Sequence, residues 1–356
     1  MPRLPDPRVA RSDPADHPWQ ARFDALADSV REGDPARAVT ALSRLMRRAL
    51  ADGNGAIVAS AVSRAATSVA PHVIRAADLA ISGGEADDDT AVLARVFLLP
   101  VILVTAGLAP ASVTGVVPDI GEITGGMRKA GALGAVEQFG LGNALGSPDD
   151  ARAVPPDRLY RICHDLGSAE REDLLRPCDV VIDSADERVH VRLLAGVALS
   201  PAHAPTLFET AGPVGRWGMA VSRALARQLA VEGLSLLPLP RAPMPWYAAL
   251  TEAAFAREEI AFNLFVTGTV RRIRAEVGEP TVVVAAHDDA TLRVTMGSPF
   301  DARLTFTHAW PLGAAESLAR VEAAIGELLV ECRVADVQWE PAVLPAAAAT
   351  PGGTRQ

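Results

Sequence analysis

The sequence predicts an α+β protein of layered α/β type, with a helical N-terminal region followed by mixed-sheet β-α-β units. Three observations carry this. Apolar residues recur at three- to four-residue spacing through PARAVTALSRLMRRAL, the period of an amphipathic helix. Runs such as VFLLPVILV and TVVVAAH are rich in β-branched residues, have strand length and end at turn residues. Residues 188–240 and 302–341 also share one plan: a strand ending in Ser-Pro or Trp-Pro, an Ala/Leu-rich helix, then an apolar strand. That shared plan suggests two related β-α-β units.

Residues 1–18 are rich in Pro, Asp and Arg without an apolar period and are expected to be disordered, as is the tail 342–356. Residues 19–84 form the helical region. Asp34 is placed to cap a helix whose first turn accepts Pro35, because no backbone donor is needed there. Val39, Leu42, Leu45, Met46 and Leu50 then face inward, Arg44, Arg47 and Arg48 face water, and Asn54-Gly55 ends the helix. Further helices are expected near 19–32, 56–69 and 71–82, with Pro71 forcing the last break. GGEADDDT at 83–90 lacks the spaced ligands of a calcium loop and reads as a solvated linker.

Residues 89–186 are expected to be an α/β region around a buried apolar strand. Between Arg95 and Asp119 there is no charge, a span long enough to cross a bilayer. Pro100, Pro110 and Pro118, with Gly107 and Gly115, argue against a spanning helix, since each proline frees a carbonyl that hydrocarbon cannot satisfy. Val96–Val104 instead fits a strand buried on both faces, so membrane association is not expected. Residues 119–146 read as helix-like with eight glycines; TGGMRKAG there has only a superficial likeness to a phosphate loop.

Residues 187–341 form the second α/β region, with strands at 188–200, 234–240, 281–287, 290–296, 302–310 and 334–340. Helices are expected at 215–233, 246–274 and 314–332.

Composition narrows the function classes. The net charge is −9 and basic residues form no block, so no nucleic-acid partner is expected. Lys129 is the single lysine, a consequence of a composition that favours Arg. Cys163, Cys178 and Cys332 lack CxxC spacing, so neither a disulfide framework nor a cysteine metal site is expected, and the N-terminus has no apolar signal segment. The expected compartment is the cytoplasm of a bacterium with a GC-rich genome. GxSxG, HExxH, DFG and a GxGxxG after a strand are absent, and no cofactor or metal is expected.

The residues that could carry chemistry are few. In CHD at 163–165 neighbouring side chains diverge on a helix, which makes Cys163 core and His164 surface. His287 and Asp289 in AHDDA, together with His308 at a strand end, are the candidate catalytic set if they converge on a cleft. Trp246, Tyr247 and Trp310 are the candidate binding residues, with PMPWYAAL read as a proline-stiffened loop that presents two of them. VFLLPVIL, LSLLPLPRAPMPWYAA and VGEPTVVVAAHDD running on to THAWPL resemble, in order and spacing, a bacterial family of unknown function from Val96 onward. The resemblance implies a soluble bacterial α/β protein and lends no activity or site residue. The expectation is a non-catalytic binding or scaffold protein with a protein partner or a second copy of itself; the alternatives are an enzyme with a His/Asp cleft, then a membrane-associated protein through 96–118.

Overall fold

The charge-free run contributes residues 96–105 to one strand and Ala111–Val113 to another. The computed structural model describes residues 21–23, 25–27, 34–82, 92–105, 111–129, 138–164, 174–182, 188–201, 214–229, 234–237, 242–288, 290–313 and 316–340. Both expected tails, the GGEADDDT linker and Asp289 lie outside them. The chain divides into two compact units, Met1–Ala254 and Phe255–Gln356.

The first unit contains α1 (Pro35–Ala51), α2 (Gly55–Arg64), α3 (Ala70–Ser82), β1 (Val92–Thr105), β2 (Ala111–Val113), α4 (Ile120–Lys129), β3 (Gln138–Gly146), α5 (Pro148–Ala153) and α6 (Pro156–His164). It continues with β4 (Val180–Ile182), β5 (Val189–Pro201), α7 (Val214–Leu229), β6 (Leu234–Leu236), β7 (Met244–Pro245) and the start of α8 (Trp246–Glu276). The main sheet runs β3-β5-β1-β6, with β7 beside β6 on the same flank of β1, and every pairing is antiparallel.

β1 is buried on both faces. Phe97, Leu99, Val101 and Leu103 join a cluster with Ile123 and Met127 of α4 and Trp217, Val221 and Leu225 of α7. Strand side chains alternate, so the equally buried Leu98 and Ile102 point the other way, where α3 and α6 lie against β1. Antiparallel sheets commonly leave one face wet; helices on both faces explain the unbroken apolar run here. Among the described residues no helix is long and apolar enough to cross a membrane.

Pro100 sits inside this central strand at no cost in hydrogen bonds. Ile102 accepts from Leu237 N, so even-numbered residues of β1 direct their peptide groups toward the β6 and β7 side. On that side β7 pairs with Phe97 and Leu98 and β6 with Leu103–Thr105, leaving position 100 in the interval between them. A proline is tolerated where the ladder has no bond to lose.

The helical region packs as expected, with three changes. Asp34 accepts from Ala36 N at 3.0 Å, and Val39, Leu42, Met46 and Leu50 are buried. Leu45 is only half-buried, and Arg47 turns inward to donate to Leu79 O at 3.4 Å instead of facing water. The helix near 56–69 ends at Arg64, and residues 119–146 split into helix α4 and strand β3 rather than continuing as helix. Glycine lowers helix propensity enough for the sheet edge to prevail over 138–146.

The second unit takes up α8 from Phe255 and adds β8 (Thr281–Asp288), β9 (Thr291–Gly297), β10 (Thr305–Pro311), α9 (Leu318–Glu331) and β11 (Asp336–Trp339). Its sheet order is β10-β9-β8-β11, with β11 parallel to β8 and the other pairs antiparallel. Val282, Val284, Val294, Met296 and Trp310 pack under Phe262, Val266, Val270 and Ile273 of α8 and Val321, Ile325 and Leu329 of α9. Arg274 closes the C-terminus of α9 by donating to Cys332 O and Arg333 O at 3.1 and 2.9 Å, a cation at the negative end of a helix.

Two further expectations change. The boundary falls inside α8, not at residue 187, because β5 pairs along the whole of β1 and belongs to its sheet. The β-α-β units share a plan but not a sheet order: β5 and β6 flank one strand, whereas β10 and β11 flank two.

Gly196 tests the packing of β1 on β5. A Cβ there would overlap the Phe97 ring and stand 2.6 Å from Gly140 O, while one at Gly140 would meet nothing closer than 4.0 Å. Gly196→Ala should cost about 1–3 kcal/mol of stability through overpacking. Gly140→Ala should be near neutral. Urea unfolding of both variants checks this.

Candidate functional site

The candidate binding residues are structural. PMPW is not a presenting loop: β7 pairs with β1 and runs directly into α8, so Trp246 is the first residue of that helix. Its side chain is buried, and its indole N–H donates to Ala151 O at 3.1 Å. The backbone N–H groups of Tyr247 and Ala248 donate to the two carboxylate oxygens of Asp78 at 2.9 and 3.0 Å. A side chain of α3 thereby satisfies two of the first-turn donors that a helix cannot satisfy itself. Tyr247 is half-buried beside this carboxylate, and burial, then the Asp78 charge, pushes its phenol upward. Trp310 is fully buried against Phe255 and Phe262, with ring centroids 5.7 and 5.6 Å away. The three aromatics do not form an exposed binding surface, because core positions of the helices and strands claim them.

The candidate catalytic residues do not meet. His308 points to the helix-covered face of its sheet, between Phe262 and Phe265 at 5.5 and 5.2 Å. Its Nε2 is buried without a hydrogen-bond partner, and desolvation lowers its pKa. His287 is exposed on the opposite face, where the Arg293 guanidinium lies 2.7 Å from its ring nitrogens. Strand alternation separates the two imidazoles, and Asp289 lies outside the described residues. Cys163 is buried and its thiol is pushed up to about 12 by desolvation, the reverse of an activated thiolate; His164 and Lys129 are exposed. No group of three or more His, Cys, Asp or Glu among the described residues could hold a metal ion.

A concavity among the described residues was not among the sequence candidates. In β3 the register to β5 runs to Leu141↔Gly196 and resumes at Leu145↔Leu194, so Gly142, Asn143 and Ala144 stand against Ala195 alone. Such a bulge bends a strand and recurs beside binding sites. It opens a cavity of about 310 Å³, at the small end of ligand clefts. Gly140, Gly142, Ala195 and Gly196 line it with backbone, while Ile120, Leu174 and Leu175 supply apolar walls. The outer side of the bulge is held in place by Val117 N donating to Asn143 O and Leu145 N donating to Gly115 O, both at 2.8 Å. Gly115 N in turn donates to Asp179 at 2.7 Å. Asn143 brings the one side-chain amide among the described lining residues, none of which is titratable. The legible signal was GLGNALG, whose glycines remove side chains from a strand.

Among the described residues Asp78 is a strongly perturbed carboxyl with hydrogen-bond partners on both oxygens. Desolvation raises its pKa from 3.8 to about 7 against the two backbone hydrogen bonds. The folded state therefore binds its proton more tightly than the unfolded chain, and the stability contributed is lost as pH rises from about 4 to about 7. Asp78→Asn should flatten that slope in unfolding measured across pH. Asp78→Ala, which orphans two part-buried helix donors, should cost about 1–3 kcal/mol at pH 5.

Comparison with family models, curated proteins and solved structures finds no match to this chain.

Proposed function

We propose that this protein is a non-catalytic binding protein, and that it works in the cytoplasm. The observation that carries the reading is the chemistry of the β3–β5 cavity: backbone, aliphatic walls and one amide, with no nucleophile, acid, base or metal ligand among its described lining residues. Acid–base or covalent catalysis needs such a group within hydrogen-bond reach of the substrate. The separation of His308 from His287 across a sheet supports the same reading. The three cysteines are free, in keeping with a reducing compartment.

A scaffold role has its own support in the second unit. Thr305, Thr307, Arg293 and His287 are exposed, as are Phe300 at 82% and Trp339 at 44%. Exposed aromatics of this size are common anchors of protein contacts.

Incubating the full chain with a metabolite extract of its native cell, followed by native mass spectrometry, tests the main reading. A bound, chemically unchanged molecule is expected, and His308→Ala should leave its occupancy the same. Catalytic loss of an extract component that disappears with His308→Ala would overturn it. Trp246→Ala is unsuitable as a binding probe, because it removes a core side chain and should lower stability by about 3–5 kcal/mol.

A further inference from the structure

Resting on the binding reading, we infer that the β3–β5 cavity takes a small, uncharged, mainly apolar molecule carrying one hydrogen-bonding group. Size comes first: about 310 Å³ has no room for a large cofactor. Charge comes second. No Arg, Lys, His, Asp or Glu is among the described lining residues, and transferring an unpaired charge into such a place is costly. An anionic ligand would need a cation or a row of donors, and a cationic one a carboxylate or an aromatic face; the described lining supplies neither.

The single polar group follows from the backbone. Thr105 N donates to Arg188 O, which sets the register so that Phe97↔Gly196 and Leu99↔Leu194 are the hydrogen-bonded pairs of β1 and β5. Ala195 between them must turn its N–H and C=O toward β3, where it faces the bulge. Asn143, exposed and on the bulge itself, is the lining residue with a side-chain amide. A ligand with one donor or acceptor among apolar atoms matches this lining; a polyol or a sugar would leave its other hydroxyls unpaired.

Glycine keeps the space open. A Cβ at Gly140 would stand 4.0 Å from its nearest neighbour, Val197 O, and one at Gly142 would stand 3.4 Å from Ala195 O. Neither glycine has the positive φ that would require it for backbone reasons. Two strand positions thus lack side chains that the fold itself could accept, and both border the cavity.

The test uses two dyes with one skeleton: neutral N-phenyl-1-naphthylamine, which has a single N–H, and its sulfonated analogue 1-anilinonaphthalene-8-sulfonate. Each is titrated by fluorescence into the full-length protein, Gly140→Leu and Asn143→Ala. Gly140→Ala, whose added methyl meets open space, guards against a folding artefact, and thermal unfolding is followed for each variant. The neutral dye should bind at one site, and its sulfonated analogue at least about tenfold more weakly. Gly140→Leu should abolish binding of the neutral dye, Gly140→Ala should weaken it, and Asn143→Ala should weaken it with unfolding temperature unchanged. Equal or tighter binding of the sulfonate, lost in Gly140→Leu, would overturn the uncharged class while leaving a binding cavity. Binding of neither dye, or binding indifferent to both Gly140 variants, would overturn the cavity as a binding site altogether.

Discussion

The first unit depends on the need to bury β1 on both faces and along both edges. A strand whose side chains are apolar on both sides cannot lie at a surface, and its peptide groups also need partners. Each requirement recruits a separate part of the chain. α4 and α7 cover one face, α3 and α6 lie against the other, β5 pairs along one edge, and β6 and β7 share the opposite edge. Segments distant in sequence therefore meet on this strand, and Pro100 falls where no ladder bond is required of it.

A second constraint fixes where α8 begins. Its first turn receives a carboxylate from α3, and its first side chain donates to a carbonyl of α5. Burial of Asp78 is unfavourable to its charge, so these two backbone donors do most to keep it acceptable inside the unit. The helix start is thus held by contacts more than ninety residues away in the chain, through Trp246 and Asp78. A partly ionised buried carboxyl also couples the stability of this junction to proton concentration near neutrality.

The sequence showed the fold more clearly than the site, for physical reasons. Helix α1, with its Asp34 cap, and strands β5, β8, β9 and β10 carry local signals, because their period and turn chemistry reside in a few adjacent residues. Gly140–Gly146 carried a local signal against strand, which pairing to β5 overrode. Trp246 and Tyr247 looked like display residues because PMPW is rich in proline; burial by α3 and α5 is non-local and leaves no mark in that octet. Asp78 did leave one: a lone acid among Val73, Ala77 and Ile81 on an apolar helix face is a buried carboxylate in search of donors. His308 and His287 could be told apart only once strand register placed them on opposite faces.

The same burial constraint limits where a binding site can lie in the first unit. A sheet covered on both faces leaves no open floor, and β1 is paired at its edges, so opening the sheet near its centre would uncover the core. The outer strand is different. A bulge on β3 separates three residues from one without disturbing β1, and residues 115–117 hold the displaced segment in place. Glycine at 140 and 142 then prevents side chains from filling the gap, while Gly196 serves the opposite purpose by letting the Phe97 ring close over β5. The glycines of one local patch therefore have two roles, one packing the core and the others keeping a space beside it. A fold selected only for stability has no use for the second role, since a methyl at Gly140 would add apolar surface without a clash.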